Sequence, residues 1–134
     1  MYLFDTDTIS NLLKKHPSPT LLRRLAGLSV EEQFTSSITV GELIYGAFRS
    51  TRPDYFLTKL NQLVWPNINI LAFDEAAARS YGQLRAHLER VGIPLPEPDL
   101  RIASIALVKQ LMLITGNTRH VSRVPNLRVE NWLQ

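Results

Sequence analysis

The spacing of apolar residues along the 134-residue chain switches between a strand pattern and a helix pattern. Short apolar runs bounded by Pro, Asp or Gly are typical of β-strands, and they predict strands at 2–4, 34–38, 67–73, 111–115 and 127–129. Between them, apolar residues recur at helical spacing and predict helices at 7–15, 19–26, 39–48, 53–64, 75–91 and 98–108. This order predicts an α/β fold, a three-layer α/β/α sandwich around a mostly parallel central sheet of four to five strands.

Residues that begin and end helices support these predictions. Ser18 as an N-cap, Pro19 in the first turn and Gly27 after the last turn mark out one helix. Asp74 is placed to cap the long helix that follows it. The helix over 98–108 is apolar on nearly every side, so we expect it to be buried in the protein interior.

Length and composition narrow the class of protein. A chain of 134 residues is expected to form one domain, residues 1–134. The sequence contains no cysteine, which excludes disulfides, thiol catalysis and thiolate metal sites. No apolar run approaches the length of a membrane span, and no basic leader precedes the first strand. We therefore expect a cytoplasmic protein with no membrane association.

Acidic and amide side chains follow several of the predicted strands. Asp5 and Asp7 come directly after the first strand, Glu42 follows the second, and Asn117 follows the fourth. The carboxyl ends of parallel strands open on one edge of the sheet, where ligands bind at a topological switch point. We therefore expect these side chains to lie close together. Asp99 joins them if the buried helix points its amino end at the same crevice.

Each acid taken alone has a structural explanation. Asp5 or Asp7 could cap the first helix, Thr39 and Glu42 have the spacing of a capping box, and Asp99 lies in a helical first turn. Capping does not explain the whole set, because several carboxylates buried together without a cation are costly. Oxygen ligands of this kind suit Mg²⁺ or Mn²⁺.

The charge balance favours a polyanionic partner. The chain has 15 Lys and Arg against 12 Asp and Glu, a formal net charge of +3. If the four acids just named form one site, 15 basic residues face 8 acidic ones on the remaining surface. That excess favours contacts with nucleic-acid phosphates.

Other chemistry has weaker support in the sequence. The three histidines lack the spacing of a metal-ligand pair, and we interpret them as surface residues: His16, His87 and His120. Neither a glycine-rich phosphate loop nor a serine-nucleophile elbow occurs. The D-x-D pattern after the first strand also resembles haloacid dehalogenase-like phosphatases. Their downstream lysine and acidic pair are missing, since Lys109 is the only late lysine and no acidic pair follows it.

A second resemblance covers nearly the whole chain. It is carried by four segments in order, LFDTDTIS, SSITVGELIYG, GQLRAHLERVGIPLPEPDLRIASIAL and LITGNTRHVSRVPNLRVENW. In sequence and spacing they resemble PIN-domain ribonucleases, and most closely the VapC-type toxins of type II toxin–antitoxin pairs. The resemblance implies a PIN-like fold and four catalytic positions, of which the first three are metal ligands: Asp5, Glu42, Asp99 and Asn117.

The resemblance also implies residues that support the site. Asp7 stands where relatives commonly have Asn, and together with three threonines it would orient the acids: Thr6, Thr39 and Thr115. Arg85 and Arg119 are candidates for contacts with RNA, although Arg85 could equally be an ordinary solvated arginine of its helix. Glu97 adds a carboxylate beside the third acid, which is a departure from the family pattern.

The implied activity is that of a Mg²⁺-dependent endoribonuclease, the toxin of a toxin–antitoxin system. Its substrate would be structured RNA, tRNA or rRNA. Its partners would be a cognate antitoxin and a second copy of itself, in a heterotetramer or larger complex. Two alternatives stay open, a non-catalytic RNA-binding or regulatory PIN-like domain and a metal-dependent phosphatase. Aromatic residues on the two helices after the second strand could line an antitoxin groove or dimer face, or pack in the core: Tyr45, Phe48, Tyr55, Phe56 and Trp65.

Overall fold

Five short strands form a central sheet in the computed structural model, which describes residues 1–134. They are β1 (Tyr2–Phe4), β2 (Gln33–Ser36), β3 (Asn69–Leu71), β4 (Met112–Ile114) and β5 (Val129–Glu130). All neighbouring pairs are parallel, and the strand order is β3-β2-β1-β4-β5. The predicted fold class is confirmed, with a sheet that is wholly parallel.

The central strand β1 lies at the switch point of the sheet. Leu3 is in register with Phe34 of β2 on one side and with Leu113 of β4 on the other. The chain places β2 and β3 to one side of β1 and then returns to place β4 and β5 on the other. A crevice therefore opens between the loops that follow β1 and β4.

Helices cover both faces of the sheet. They are α1 (Thr6–Leu12), α2 (Pro19–Ala26), α3 (Ser37–Arg49), α4 (Pro53–Lys59), α5 (Glu75–Arg90), α6 (Glu97–Lys109) and α7 (Thr118–Val121). A π-helical turn, Leu60–Val64, continues α4. None of these helices combines the length and the apolar character needed to cross a lipid bilayer.

The pleat of β1 divides the core into two layers. Leu3 packs with Ile102 and Ile105 of α6 on one face of the sheet. Phe4, the next residue, packs with Ile9 of α1 and Leu21 of α2 on the other face. Successive residues of a strand point to opposite faces, so this alternation fixes the three layers. The predicted burial of the 98–108 helix is confirmed.

Caps explain where the helices begin. Ser18 Oγ accepts a hydrogen bond from the Leu21 amide, and an Asp74 carboxylate oxygen accepts one from the Ala77 amide, as predicted. The second strand is shorter than predicted. It ends at Ser36, whose Oγ accepts a hydrogen bond from the Thr39 amide at 3.0 Å and caps α3. Because Ser36 is the cap, α3 begins two residues earlier than predicted and Thr39 lies inside it.

Candidate active site

Asp5 is a buried carboxylate at the carboxyl end of the central strand. It is the N-cap of α1, and the residue is only 7% exposed. Its Oδ1 accepts a hydrogen bond from the Thr6 amide at 2.7 Å, and its Oδ2 accepts one from the Thr115 hydroxyl at 2.7 Å. Both donors are neutral, and Asp5 takes part in none of the ion pairs of the protein.

Burial raises the pKa of Asp5 to about 6. The hydrogen bonds from Thr115 and Thr6 act in the opposite direction, and the charges of Asp7 and Asp99 raise this pKa further. The negative charge of Asp5 is therefore uncompensated within the chain near neutral pH, which is the condition that a bound cation relieves.

Glu42 reaches the same edge of the sheet from α3. Its Oε1 accepts a hydrogen bond from the Thr6 hydroxyl at 2.6 Å. The Thr6 and Thr39 hydroxyls lie 3.1 Å apart, and the Ser36 hydroxyl lies 3.3 Å from that of Thr39. This row of hydroxyls joins Glu42 to the ends of β1 and β2. Glu42 is thus engaged across the crevice, in place of the capping box that its spacing also allowed.

Asp99 enters the crevice from the first turn of α6. Burial raises its pKa, and the charges of Glu42 and then Asp7 add to the increase, while His120 lowers it. Asn117 Nδ2 donates to Asp99 Oδ2 at 3.4 Å. The fold thus brings Asp99 and Asn117 together across 18 residues of sequence, and places Glu42 and Asp7 close enough to act on Asp99.

Asp7 holds the loop that follows β4. Its Oδ2 accepts a hydrogen bond from the Gly116 amide at 2.9 Å. The next amide, that of Asn117, donates to the Thr115 hydroxyl oxygen at 3.0 Å. A Cβ atom at position 116 would lie 2.8 Å from Asp7 Oδ2 and 3.0 Å from Leu133 Cδ1, so any larger residue there would force these side chains to shift. Asp7 is exposed and does not cap α1, because Asp5 does.

Glu97 and Arg85 belong to a separate network at the start of α6. Arg85 forms ion pairs with Glu89 at 3.1 Å and Glu97 at 3.2 Å. Glu97 also accepts a hydrogen bond from the Tyr81 hydroxyl and pairs with Arg101 at 3.4 Å. The carboxylate of Glu97 is therefore neutralised by basic partners outside the crevice. The Arg85 guanidinium, a candidate for RNA contacts from the sequence, is already engaged in two ion pairs.

Arg119 and His120 lie on α7, directly after Asn117. Both side chains are exposed, and Arg119 forms no ion pair. The sequence interpretation of His120 as an ordinary surface residue overlooked its effect on Asp99. The sequence analysis also missed Ser36 as the N-cap of α3. A serine that accepts a hydrogen bond from the amide three residues later is a common helix cap.

The donor chemistry of the crevice suits a hard divalent cation. No three acidic or histidine side chains are close enough to form a ready-made metal cluster. Mg²⁺ does not require one, since it commonly binds through one or two carboxylates and keeps several waters. The crevice offers oxygen donors of just this kind, and two of its carboxylates, Asp5 and Asp99, have raised pKa values. These residues fit a hard divalent cation.

Comparison with known proteins identifies the family. The sequence profile of the PIN domain matches residues 2–127. The chain belongs to the PIN-domain family. Nucleases with this domain generally depend on divalent metal ions.

Curated relatives and solved structures place this PIN-domain chain among the VapC ribonucleases. It is 37% identical to the tRNA(fMet)-specific endonuclease VapC of Shigella flexneri, over 98% of this chain and 97% of that protein. It is 32% identical to ribonuclease VapC2 of Rickettsia felis, over 98% of both. The DNA-bound VapBC structure from Salmonella typhimurium matches with a TM-score of 0.90 and 34% identity, covering 98% of this chain and 97% of that one.

The raised pKa of Asp5 gives a pH-dependent stability prediction for this PIN domain. The folded protein binds the Asp5 proton more tightly than the unfolded chain, so the stability from this group is full below pH 3.8 and lost as the pH rises through about 6. At pH 7.5 the charged carboxylate costs roughly 3 kcal/mol. Asp5→Asn should remove that cost, so in EDTA its free energy of unfolding should exceed that of the wild type at pH 7.5.

Urea unfolding at pH 7.5 and pH 4 measures this difference, which should shrink strongly at the lower pH. Asp54→Asn, an exposed change on α4, provides the control for replacing a carboxylate by an amide. If Asp5→Asn changed the free energy of unfolding by the same amount at both pH values, burial would not be raising the pKa of Asp5.

The close approach of Asp7 to Gly116 gives a second prediction. Gly116→Ala should displace the Asp7 carboxylate, release the loop that carries Asn117, and lower RNA cleavage by about tenfold or more, since small misplacements at a catalytic site have large effects. Gly82→Ala is the control, because a Cβ there has open space.

A double-mutant cycle with Asp7→Ala tests the cause. If Gly116→Ala acts by breaking the contact with Asp7, the double variant should lose hardly more cleavage than the more damaging single variant. Fully additive losses would show that the two residues act independently.

Proposed function

We propose that this protein is a Mg²⁺-dependent endoribonuclease that acts as the toxin of a toxin–antitoxin pair, with Mn²⁺ able to replace Mg²⁺. The observation that carries the proposal is the group of carboxylates at the sheet switch point, Asp5, Glu42 and Asp99, which are held by neutral donors and have no basic partner in an ion pair. That arrangement leaves their charge to be neutralised by a cation.

The three carboxylates would hold the metal ion from the end of β1, α3 and the start of α6, one or two of them directly and the rest through waters of the ion. When bound, the ion supplies charge stabilisation at the scissile phosphate and lowers the pKa of a nearby water. The hydroxyl of Thr115 holds Asp5 in place, and that of Thr6 holds Glu42. These contacts fix the ligands before the substrate binds.

Asp99 is the better candidate for the base that accepts the proton of the attacking water. The Asn117 amide bonds to only one of the carboxylate oxygens of Asp99, which leaves the other free to accept a proton. The carboxylate of Asp7, the other candidate, is bound to the Gly116 amide. The Asn117 amide donates to Asp99 and would orient it. Arg119, exposed on α7, would contact a phosphate of the substrate.

The relatives suggest the substrate and the partner. The Shigella flexneri relative is named for its action on tRNA(fMet), and the structures from Salmonella typhimurium and Rickettsia felis are VapBC assemblies bound to DNA. We infer that this chain cleaves structured RNA, with tRNA as the first substrate to test. Its partners are a cognate antitoxin and a second copy of the chain, in a heterotetramer or larger complex in the cytoplasm.

The structure gives little support to the alternative that the protein is a metal-dependent phosphatase. A D-x-D phosphatase would use Asp5 as its nucleophile and Asp7 as its general acid. Asp5 is buried and its two oxygens already accept hydrogen bonds, and Asp7 is bound to a backbone amide. The non-catalytic alternative has no specific observation in its favour, since all three acids are present and face one crevice.

Substitution of the acids tests the proposed function. Asp5→Asn and Asp99→Asn should each lower the rate of tRNA cleavage in Mg²⁺ at least a thousandfold, because each removes a charged oxygen from the ion that stabilises the transition state. EDTA should abolish wild-type cleavage, and added Mg²⁺ or Mn²⁺ should restore it. Gel electrophoresis of labelled tRNA measures the rate.

Asp54→Asn is again the matched control and should cleave at the wild-type rate. Circular dichroism checks that the Asp5 and Asp99 variants are folded. Cleavage by a folded Asp5→Asn protein at the wild-type rate, or wild-type cleavage that persists in EDTA, would show that the site has been assigned wrongly.

A further inference from the structure

A groove with a volume of about 730 Å³ opens beside the catalytic carboxylates. Thr6 and Glu42 form its inner end, and it runs outward between the end of α1, the outer side of α3 and the start of α4. Its volume lies within the range of small-molecule binding sites. The mechanism proposed above makes no use of it beyond its inner end.

Three basic side chains line the outer part of the groove. They are Lys14 and Lys15, just after α1, and Arg52, just before α4. All three are exposed, and none takes part in an ion pair. The groove therefore presents unpaired positive charge next to a site that acts on a phosphodiester.

A cationic and aromatic platform forms one wall. The guanidinium carbon of Arg52 lies 4.1 Å from the centre of the Tyr55 ring, and the Phe56 ring packs edge-on against Tyr55 at 5.1 Å. Lys59 Nζ lies 5.0 Å from the Tyr55 ring centre and donates a hydrogen bond to the Leu13 carbonyl at 2.9 Å. This bond ties α4 to the end of α1, so the platform is held at a fixed distance from the catalytic crevice.

Stacked guanidinium and aromatic planes are the surfaces on which unpaired RNA bases pack. We propose that this groove binds the unpaired nucleotide next to the scissile phosphate, with its base on the Arg52–Tyr55 platform and its outer phosphate beside Lys14 and Lys15. This inference rests on the proposed function and adds a substrate-binding subsite to it.

The lining of the groove favours RNA over a protein segment. Three of its thirteen lining residues are basic, and three more carry aliphatic hydroxyl groups, Thr6, Ser10 and Ser50. A second cavity, of about 620 Å³ beside α2, has twelve apolar residues among sixteen and lacks basic side chains. The strongly exposed aromatic residues Tyr45 and Phe48 of α3 lie outside the lining of the groove. Apolar surface suited to a protein partner is thus available elsewhere.

The test measures RNA binding separately from cleavage. Asp5→Asn serves as the background, so that the probe is not cut. The probe is a single-stranded octa-adenylate with 2-aminopurine at its centre, and its anisotropy and fluorescence report binding and base stacking. Arg52→Gln and Tyr55→Ala should each raise the Kd about fivefold or more and reduce the quenching of 2-aminopurine. Arg79→Gln, an exposed arginine on α5, is the control.

Two further variants separate the contribution of the Tyr55 ring from that of the Lys14 charge. Tyr55→Phe keeps the ring and should retain the Kd of the Asp5→Asn background, which guards against a folding defect in Tyr55→Ala. Lys14→Gln should reduce the slope of log K against log salt by about 0.7, the value for one lost phosphate contact on a single strand. In proteins with an intact Asp5, Arg52→Gln should raise KM for tRNA more than it lowers kcat.

The outcomes separate this subsite from the proposed function. Kd values for Arg52→Gln and Tyr55→Ala within twofold of the Arg79→Gln control would overturn the subsite while leaving the nuclease assignment intact. Variants that bind the probe normally but lose affinity for the cognate antitoxin would also overturn it and show a protein-docking groove. A wild-type protein that cuts no RNA in any divalent metal would overturn the proposed function, while the probe Kd values still decide whether the groove binds RNA.

Discussion

The buried carboxylate of Asp5 is the constraint around which the site is built. The central strand delivers this side chain to the switch point of the sheet, where the residue is 7% exposed and its carboxylate is bonded only to the neutral groups of Thr6 and Thr115. Burial without a basic partner raises its pKa and leaves the folded chain less stable near neutral pH. The destabilising charge lies at a position where a bound cation could neutralise it. Functional sites commonly depart from the most stable arrangement in this way.

Parallel topology explains why the other groups meet Asp5 there. The strand order puts β4 beside β1, so the loop with Asn117 faces the start of α1, and β2 on the other side of β1 directs α3 and Glu42 toward the same crevice. Threonine and serine hydroxyls fill the space between these elements. Those of Thr6 and Thr115 donate to Glu42 and Asp5 without adding positive charge, so the crevice stays anionic.

Most of the fold could be predicted from the sequence, because helix caps and strand patterning are local signals. Ser18 and Asp74 mark their helices as expected. The start of α3 was misplaced because Phe34 to Ile38 is a continuous run with strand character, and only the hydrogen bond from the Thr39 amide to Ser36 ends the strand. Tertiary effects had no local signal at all. Three features depend on elements that are distant in sequence: the effect of His120 on Asp99, the ion pair between Arg85 and Glu97, and the groove beside Glu42.

The pairing of positions 7 and 117 shows how the charge in the crevice is distributed. A carboxylate at 117 would face Asp99 at 3.4 Å and repel it, whereas the Asn117 amide donates to it. The charge present at Asp7 raises the pKa values of both Asp5 and Asp99, yet its own oxygen is directed to the Gly116 amide. The crevice thus has four carboxylates, one of which anchors the loop carrying Asn117. The other three are the carboxylates proposed to hold the ion, and the neutral Asn117 leaves one negative charge fewer for a second cation.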